Sequence, residues 1–305
     1  MNCSCKIYGI YLGIWVFADD ILLIAPTRST LQSMVSICEN FANKFNLKFS
    51  TNSDPIKSKT KCMVFSPNCP NPNGISPIVL NNVNLPYVTE FKHLGNVFDL
   101  NNNWSKDCLL KRQQFITKLH TLRSEFHYAD PHVLMKIINI YACSFPGSCL
   151  WDLTSSDVDR LYTTWNSNIR QIFKIPYNTH RYLITPISKS LHLKTMLCNR
   201  FYSFYVNIIK SAKRTVRFLA HLGSSDVMSS LGKNLSYVAK ECSIPIHELN
   251  KGLIREHCRY HDIPSDQHHI VDLVLELMDT RRDLLRIDSL DFYETCDMLY
   301  NLCIS

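Results

Sequence analysis

Ile14-Trp15-Val16-Phe17-Ala18-Asp19-Asp20-Ile21-Leu22-Leu23-Ile24 sets two adjacent aspartates between two apolar, β-prone runs. Neither run carries a polar residue to share the cost of desolvating the carboxylates. A β-hairpin resolves the conflict. Its tip holds both side chains at the rim of a sheet, where a hard divalent cation would offset their mutual repulsion. Asp is also an ordinary turn residue, so a plain hairpin without metal satisfies the same pattern.

Around this stretch lies a chain of 305 residues, 46% hydrophobic and 19% charged, which suits two or three globular units and excludes a disordered chain. Its thirteen cysteines are odd in number and scattered, with some, such as Cys38, at apolar helical positions. Reduced thiols in an intracellular protein fit this better than a disulfide framework does. Residues 7–18 have the look of a signal-peptide core. They are too short to span a bilayer and are preceded by a single lysine, Lys6. No other stretch looks transmembrane, and no membrane partner is expected.

The net charge of +7 is unevenly spread. Residues 160–225 contain no Asp or Glu, yet Arg170, Lys174, Arg181, Lys189, Lys194, Arg200, Lys210, Lys213, Arg214 and Arg217 all fall there. Trp165, Tyr177, Tyr182, Phe201, Tyr202 and Tyr205 are interleaved with them, and after Asp226 the balance turns acidic. A polyanion-binding surface needs this composition; a solvated basic face would also account for it.

Periodicity supplies the elements. Ser29-Thr30-Leu31-Gln32 predicts a capping box opening a helix whose stripe is Leu31, Met34, Val35, Cys38, Phe41, Ala42 and Phe45. Residues 47–49 and 62–65 read as short strands, and 78–80 with 83–85 as a hairpin about Asn81-Asn82. From Ser105 the pattern turns helical, with Leu109, Ile116, Leu119, Leu122 and Phe126 on one face. Asp130-Pro131 restarts a helix carrying Leu134, Ile137, Ile138 and Tyr141. Ser156 and Asp157 open another with Val158, Leu161, Trp165, Ile169 and Ile172 inward, and residues 196–209 suggest one more.

Phe17-Ala18-Asp19-Asp20, then Lys59-Thr60-Lys61-Cys62-Met63-Val64-Phe65, then Phe91-Lys92-His93-Leu94-Gly95 follow in that order. After them come Trp151, Leu161, Trp165, Ile169-Arg170, Pro176 and Thr179-His180. The series resembles reverse transcriptases of non-LTR (LINE-like) retrotransposons, over residues 7 to about 222. The resemblance implies an α+β fold: a truncated polymerase palm over 1–100, a basic helical thumb over 101–225 and a helical extension over 226–305. It implies Asp19 as a Mg²⁺ ligand, Asp20 as a second or tuning carboxylate, and Phe17 and Ala18 beside the primer end. Lys59 would lie near the leaving pyrophosphate, with Lys57 and Lys61 fitting by other registers. Leu94-Gly95 would belong to the primer grip, and Arg170, Lys174, Arg181 and Arg200 would contact primer and template.

The family draws another essential aspartate from a strand upstream of the hairpin, but none of the eighteen residues before Asp19 is Asp or Glu. The expected function is therefore a fragment of an RNA-directed DNA polymerase, inactive alone. A non-catalytic nucleic-acid-binding module and a decayed retroelement product are the alternatives. His180 fits a structural or phosphate-contacting role. His257, Cys258, His261, His268 and His269 match no standard knuckle, so zinc is not expected.

Overall fold

The computed structural model of the chain describes residues 5–65, 74–100, 104–179 and 181–257. The fold is α+β, with antiparallel hairpins first and helices after them. It divides into two compact units, Met1–Trp104 with Ser211–Leu219 and Ser105–Lys210 with Ala220–Ser305.

The first unit holds four two-stranded antiparallel sheets among the described residues. They pair β1 (Lys6–Ile7) with β2 (Ile10–Tyr11), β3 (Ile14–Phe17) with β4 (Asp20–Leu23), β5 (Val79–Leu80) with β6 (Val83–Asn84), and β7 (Glu90–His93) with β8 (Asn96–Asp99). Three of the two-residue loops, Tyr8-Gly9, Asn81-Asn82 and Leu94-Gly95, take positive φ at both positions. That backbone matches the right-handed twist of the flanking strands.

Helix α1 (Arg28–Lys44) starts earlier than the expected capping box, because Thr27 rather than Ser29 accepts from the Thr30 N–H. Gln32 does not reach back to the cap. Its side-chain oxygen accepts from the Val79 N–H at 2.8 Å and its amide donates to the Val79 carbonyl at 2.9 Å, so it pairs with β5 as another strand would. Val35, Cys62, Ile78, Leu80 and Leu85 form the buried cluster, with Leu23, Leu31, Phe49 and Tyr87 packed against it.

Two expectations fail here. The α1 stripe buries Met34, Val35 and Ala42 but leaves Phe41 and Phe45 62% and 60% exposed, since the cluster behind the helix is too narrow to cover them. The strands at 47–49 and 62–65 do not form: Cys62 makes one isolated parallel bridge with Tyr87. Its N–H donates to the carbonyl of Pro86, and Pro86 has no N–H to extend a ladder.

Residues 214–219 of α7 (Arg214–Ser225) group with the first unit, where Phe218 lies edge-on to Tyr8 at 6.1 Å. The second unit contains α2 (Ser105–Glu125), α3 (Pro131–Tyr141), a 3-10 turn at Ser148–Leu150, α4 (Ser156–Ile172), α5 (Arg181–Ser188), α6 (Leu193–Ile209), α8 (Ser230–Cys242) and α9 (Lys251–His257). Asp130 caps α3 by accepting from the His132 and Val133 N–H groups, with Pro131 at the first position. Ser155 caps α4, whose buried face includes Val158, Leu161, Trp165, Ile169 and Ile172 as their spacing predicts.

Helix α2 is turned from the face its apolar residues suggest, of which Leu119 is buried and Ile116 and Leu122 are half-buried. Asp107, Cys108, Lys111, Phe115 and Leu119 are buried, whereas Leu109 is 42% and Phe126 39% exposed. The cause is a buried ion pair, Lys111 Nζ to Asp107 Oδ2 at 3.1 Å. Trp151 Nε1 donates to the same carboxylate oxygen at 2.8 Å, and Lys111 also donates to the Pro146 carbonyl. The Trp151 carbonyl accepts from Asn234 Nδ2 at 2.7 Å, while Asn234 Oδ1 accepts from the Leu153 N–H at 3.0 Å.

The helical reading of 268–287, the His/Cys cluster from Cys258 onward and His180 lie outside the described residues.

Replacing Asp107 by Ala leaves Lys111 charged and buried, and should cost about 3–5 kcal/mol in urea denaturation. The double change Asp107→Leu with Lys111→Met should cost less than that single one. Burial pushes the Cys108 and Cys143 thiols from 9.0 up to about 12. Stability they contribute is full below pH 9.0 and is lost as pH rises towards about 12, because the unfolded chain ionises first. The urea midpoint should fall steadily across that window.

Candidate functional site

The Asp-Asp stretch is a hairpin in the register Ile14↔Leu23, Trp15↔Leu22, Val16↔Ile21, Phe17↔Asp20, with Ala18-Asp19 as its loop. Asp19 and Asp20 are both exposed at the tip, and Phe17 is 66% exposed beside them. Ala18 holds a left-handed φ of 52°, a conformation that costs a residue with a Cβ roughly 1–2 kcal/mol. At the other end of the hairpin a Cβ on Gly13 would lie 2.7 Å from the hydroxyl of the exposed Tyr11, whose side chain would have to move.

Two carboxylates on a tight turn supply hard oxygens that fit part of a Mg²⁺ shell, the remainder being water or phosphate oxygen. Among the described residues no group of three or more His, Cys, Asp or Glu side chains could hold a metal ion. Among the described residues the tip thus offers two carboxylates.

Lys59 is exposed in the loop after α1, as is Lys57, while Lys61 is partly covered. The loop is ordered by its own short polar side chains. Ser58 Oγ donates to the Thr60 carbonyl at 2.5 Å and Thr60 Oγ1 to the Ser50 carbonyl at 2.8 Å. Leu94 and Gly95 form the tip of the β7–β8 hairpin, at φ of 48° and 79°. The hairpin is therefore present. No hydrogen bond or ion pair among the described residues joins Asp19, Asp20, Lys59 and Leu94 to one another.

The basic block sorts into two classes. Arg200 is largely covered: it donates to the Cys143 carbonyl and lies over the Phe145 ring at 5.8 Å. Burial holds its pKa below the usual arginine range. Arg170 Nη2 donates to the Thr179 carbonyl at 2.8 Å, and burial, followed by the nearby Arg181 guanidinium, lowers its pKa as well. Lys194 is ion-paired with Glu241 at 2.9 Å, an acid from beyond the block. Arg170 and Arg200, both expected to contact primer and template, are half-buried, and each gives an N–H to a backbone carbonyl.

Lys210, Lys213, Arg214 and Arg217 are exposed, and so are the cations of the loop following α4. Lys174 turns the chain at φ 53°, and the Ile175 N–H closes on the Arg170 carbonyl at 3.0 Å. Buried Thr179 then pins the loop, donating from Oγ1 to the Pro176 carbonyl at 2.8 Å. Between these anchors Tyr177 is 91% exposed, and Lys174, Arg181 and Lys189 are exposed in the same part of the chain. Sequence placed Tyr177 among six interleaved aromatics, with no signal to single it out.

No protein-family model matches the chain, and no curated protein matches it. No helix among the described residues is long and apolar enough to cross a membrane.

Ala18→Gly relieves the left-handed strain at the tip and should stabilise the hairpin by about 1 kcal/mol, net of the entropy a glycine adds to the unfolded chain. Ala18→Val should destabilise it. Backbone amide exchange of Trp15 and Leu22, a hydrogen-bonded pair of the β3–β4 ladder, reads both effects.

Proposed function

We propose that the chain is the rear part of a non-LTR retrotransposon reverse transcriptase, a partial palm followed by a thumb, and that by itself it binds single-stranded nucleic acid without polymerising. The observation that carries the binding reading is the pinned loop with Tyr177 91% exposed between exposed Lys174 and Arg181. Aromatic faces and interleaved cations are what a sequence-tolerant strand groove uses: bases stack, and phosphates pair with the charges. The repulsion between Arg170 and Arg181 is a cost that an incoming polyanion removes.

In the parent reaction two metal ions activate the primer hydroxyl and stabilise the in-line transition state. Asp19 would hold such an ion, Asp20 would support it, Lys59 would meet the leaving phosphates, and Phe17, Ala18, Leu94 and Gly95 would border the primer. The hairpin display of both carboxylates favours this reading. On this reading the further aspartate that the family uses would come from outside the hairpin, and the chain by itself does not polymerise.

Fluorescence anisotropy with a labelled single-stranded oligonucleotide tests the proposal. Tyr177→Ala should weaken binding by about 1–3 kcal/mol, the worth of one stacked base. Lys174→Gln should flatten the salt dependence by roughly 0.7 in log–log slope. Asp19→Asn should leave affinity unchanged, and primer extension with Mg²⁺ should incorporate nothing. Binding indifferent to Tyr177 would sink the interface, and robust incorporation would sink the truncated-enzyme reading.

A further inference from the structure

We infer that Tyr8 and the first turn of α7, both in the first unit, form a second binding patch for single-stranded nucleic acid, built from other residues than the Tyr177 loop. Tyr8 takes the first position of the Tyr8-Gly9 turn at a φ of 48°. Turns of this kind ordinarily hold Asn, Asp or Gly there, because a larger side chain is crowded in the left-handed region. A bulky aromatic kept in that conformation points to a use for it.

The Tyr8 ring is 83% exposed, yet it is held in place. The half-buried ring of Phe218 in α7 meets it at 6.1 Å between centroids and 75° between planes. Such an edge contact fixes one ring against another, and the exposure leaves a face of Tyr8 open to solvent. An open, oriented aromatic face is a platform on which an unpaired base of any identity stacks.

Cations stand beside this platform. Arg214 precedes Phe218 by four residues, so the two share one face of α7 a turn apart, and the Phe218 side chain leans toward that turn. Lys213, Arg214 and Arg217 are all exposed, as is Lys6 in the strand that leads into the Tyr8 turn. Arg217 ties down the loop before the helix, donating from Nη1 to the Ser211 carbonyl at 2.8 Å. The first turn of α7 carries no acid, and among the described residues none of these four cations is in an ion pair. Arginines at a helix N-terminus lie against the dipole, and an incoming phosphate offsets that mismatch.

The kind of partner follows from what α7 does and does not expose. None of its large apolar residues is exposed, so it offers no stripe to insert into a bilayer interface or to cover with an apolar protein surface. It shows guanidinium and ammonium groups, which pair with successive phosphates of a strand while one base covers Tyr8. A duplex keeps its bases stacked on one another, so the platform selects single strands.

Fluorescence anisotropy with a short labelled single-stranded oligonucleotide, run on the full chain carrying Tyr177→Ala, isolates this patch. Weaker, salt-sensitive binding should remain. Adding Tyr8→Asn, which suits the turn and should leave the circular dichroism spectrum unchanged, should weaken that binding roughly tenfold or more, whereas Tyr8→Phe should keep it. Adding Arg214→Gln instead, an exposed position that does not touch the turn, should flatten the log–log salt dependence by roughly 0.7. A Tyr177→Ala chain that no longer binds overturns the inference and leaves the Tyr177 interface standing. Residual binding that Tyr8→Asn leaves intact also overturns it, as does equal affinity for vesicles of phosphatidylserine and phosphatidylcholine.

Discussion

A carboxylate at 1% exposure is tolerable only where donors converge on it, and in the second unit Asp107 collects Lys111 and the Trp151 indole on one oxygen. That convergence sets the rotation of α2. With Asp107 and Lys111 inward, the same face delivers Phe115 and Leu119 to the interior, both 1% exposed. Phe115 then packs its ring on Trp165 of α4 at 6.1 Å and on Phe145 at 5.3 Å, while Phe145 lies 5.9 Å from Trp151. The Trp151 carbonyl passes the constraint on to Asn234 of α8. Because each donor in this chain has one geometry that satisfies it, the network fixes how the helices are rotated, while the apolar contacts supply most of the stabilisation.

The first unit is built on a different balance. No sheet among its described residues exceeds two strands, and α1 does by a side chain what a third strand would do by backbone, through Gln32 and Val79. The buried cluster spans few residues, and aromatic surface is left outside on α1 and along β3–β4. Elements with few buried neighbours open more readily than packed helices do. The carboxylate tip thus rides on a ribbon whose rigidity depends on what covers it.

Local chemistry was legible in the sequence, and tertiary compensation was not. The Asp19-Asp20 tip, the Asn81-Asn82 turn, the Asp130-Pro131 cap and the face of α4 all follow from signals within a few residues. The face of α2 was misread because Asp107 and Lys111 look like surface residues until Trp151 and Pro146 supply their partners from about forty positions away. Phe41 and Phe45 have core spacing, but the extent of the cluster behind them is not written in α1. Helix α5 holds Pro186 within it, where proline ordinarily signals a stop. At the candidate interface the charge run was plain, yet which cations brace carbonyls and which face water depended on where the Cys143 and Thr179 carbonyls came to lie.

Binding and catalysis make unequal demands on such a scaffold. Holding a polyanion needs cations and an aromatic face within reach of successive phosphates and bases, and tolerance of ångström-scale displacement is large because screening and stacking vary slowly with position. On the proposed reading, a loop pinned at Thr179 and Arg170 answers that demand within about a dozen residues. Phosphoryl transfer needs two ions held within a fraction of an ångström by ligands whose own positions are locked by packing and hydrogen bonds. Asp19 and Asp20 sit on a turn exposed on every side, next to a residue in a strained conformation. Covering the β3–β4 ribbon would stiffen that turn without adding a ligand. On the proposed reading, then, stiffening the tip and completing its metal shell are separate requirements, and meeting the first alone would not turn a binding fragment into a polymerase.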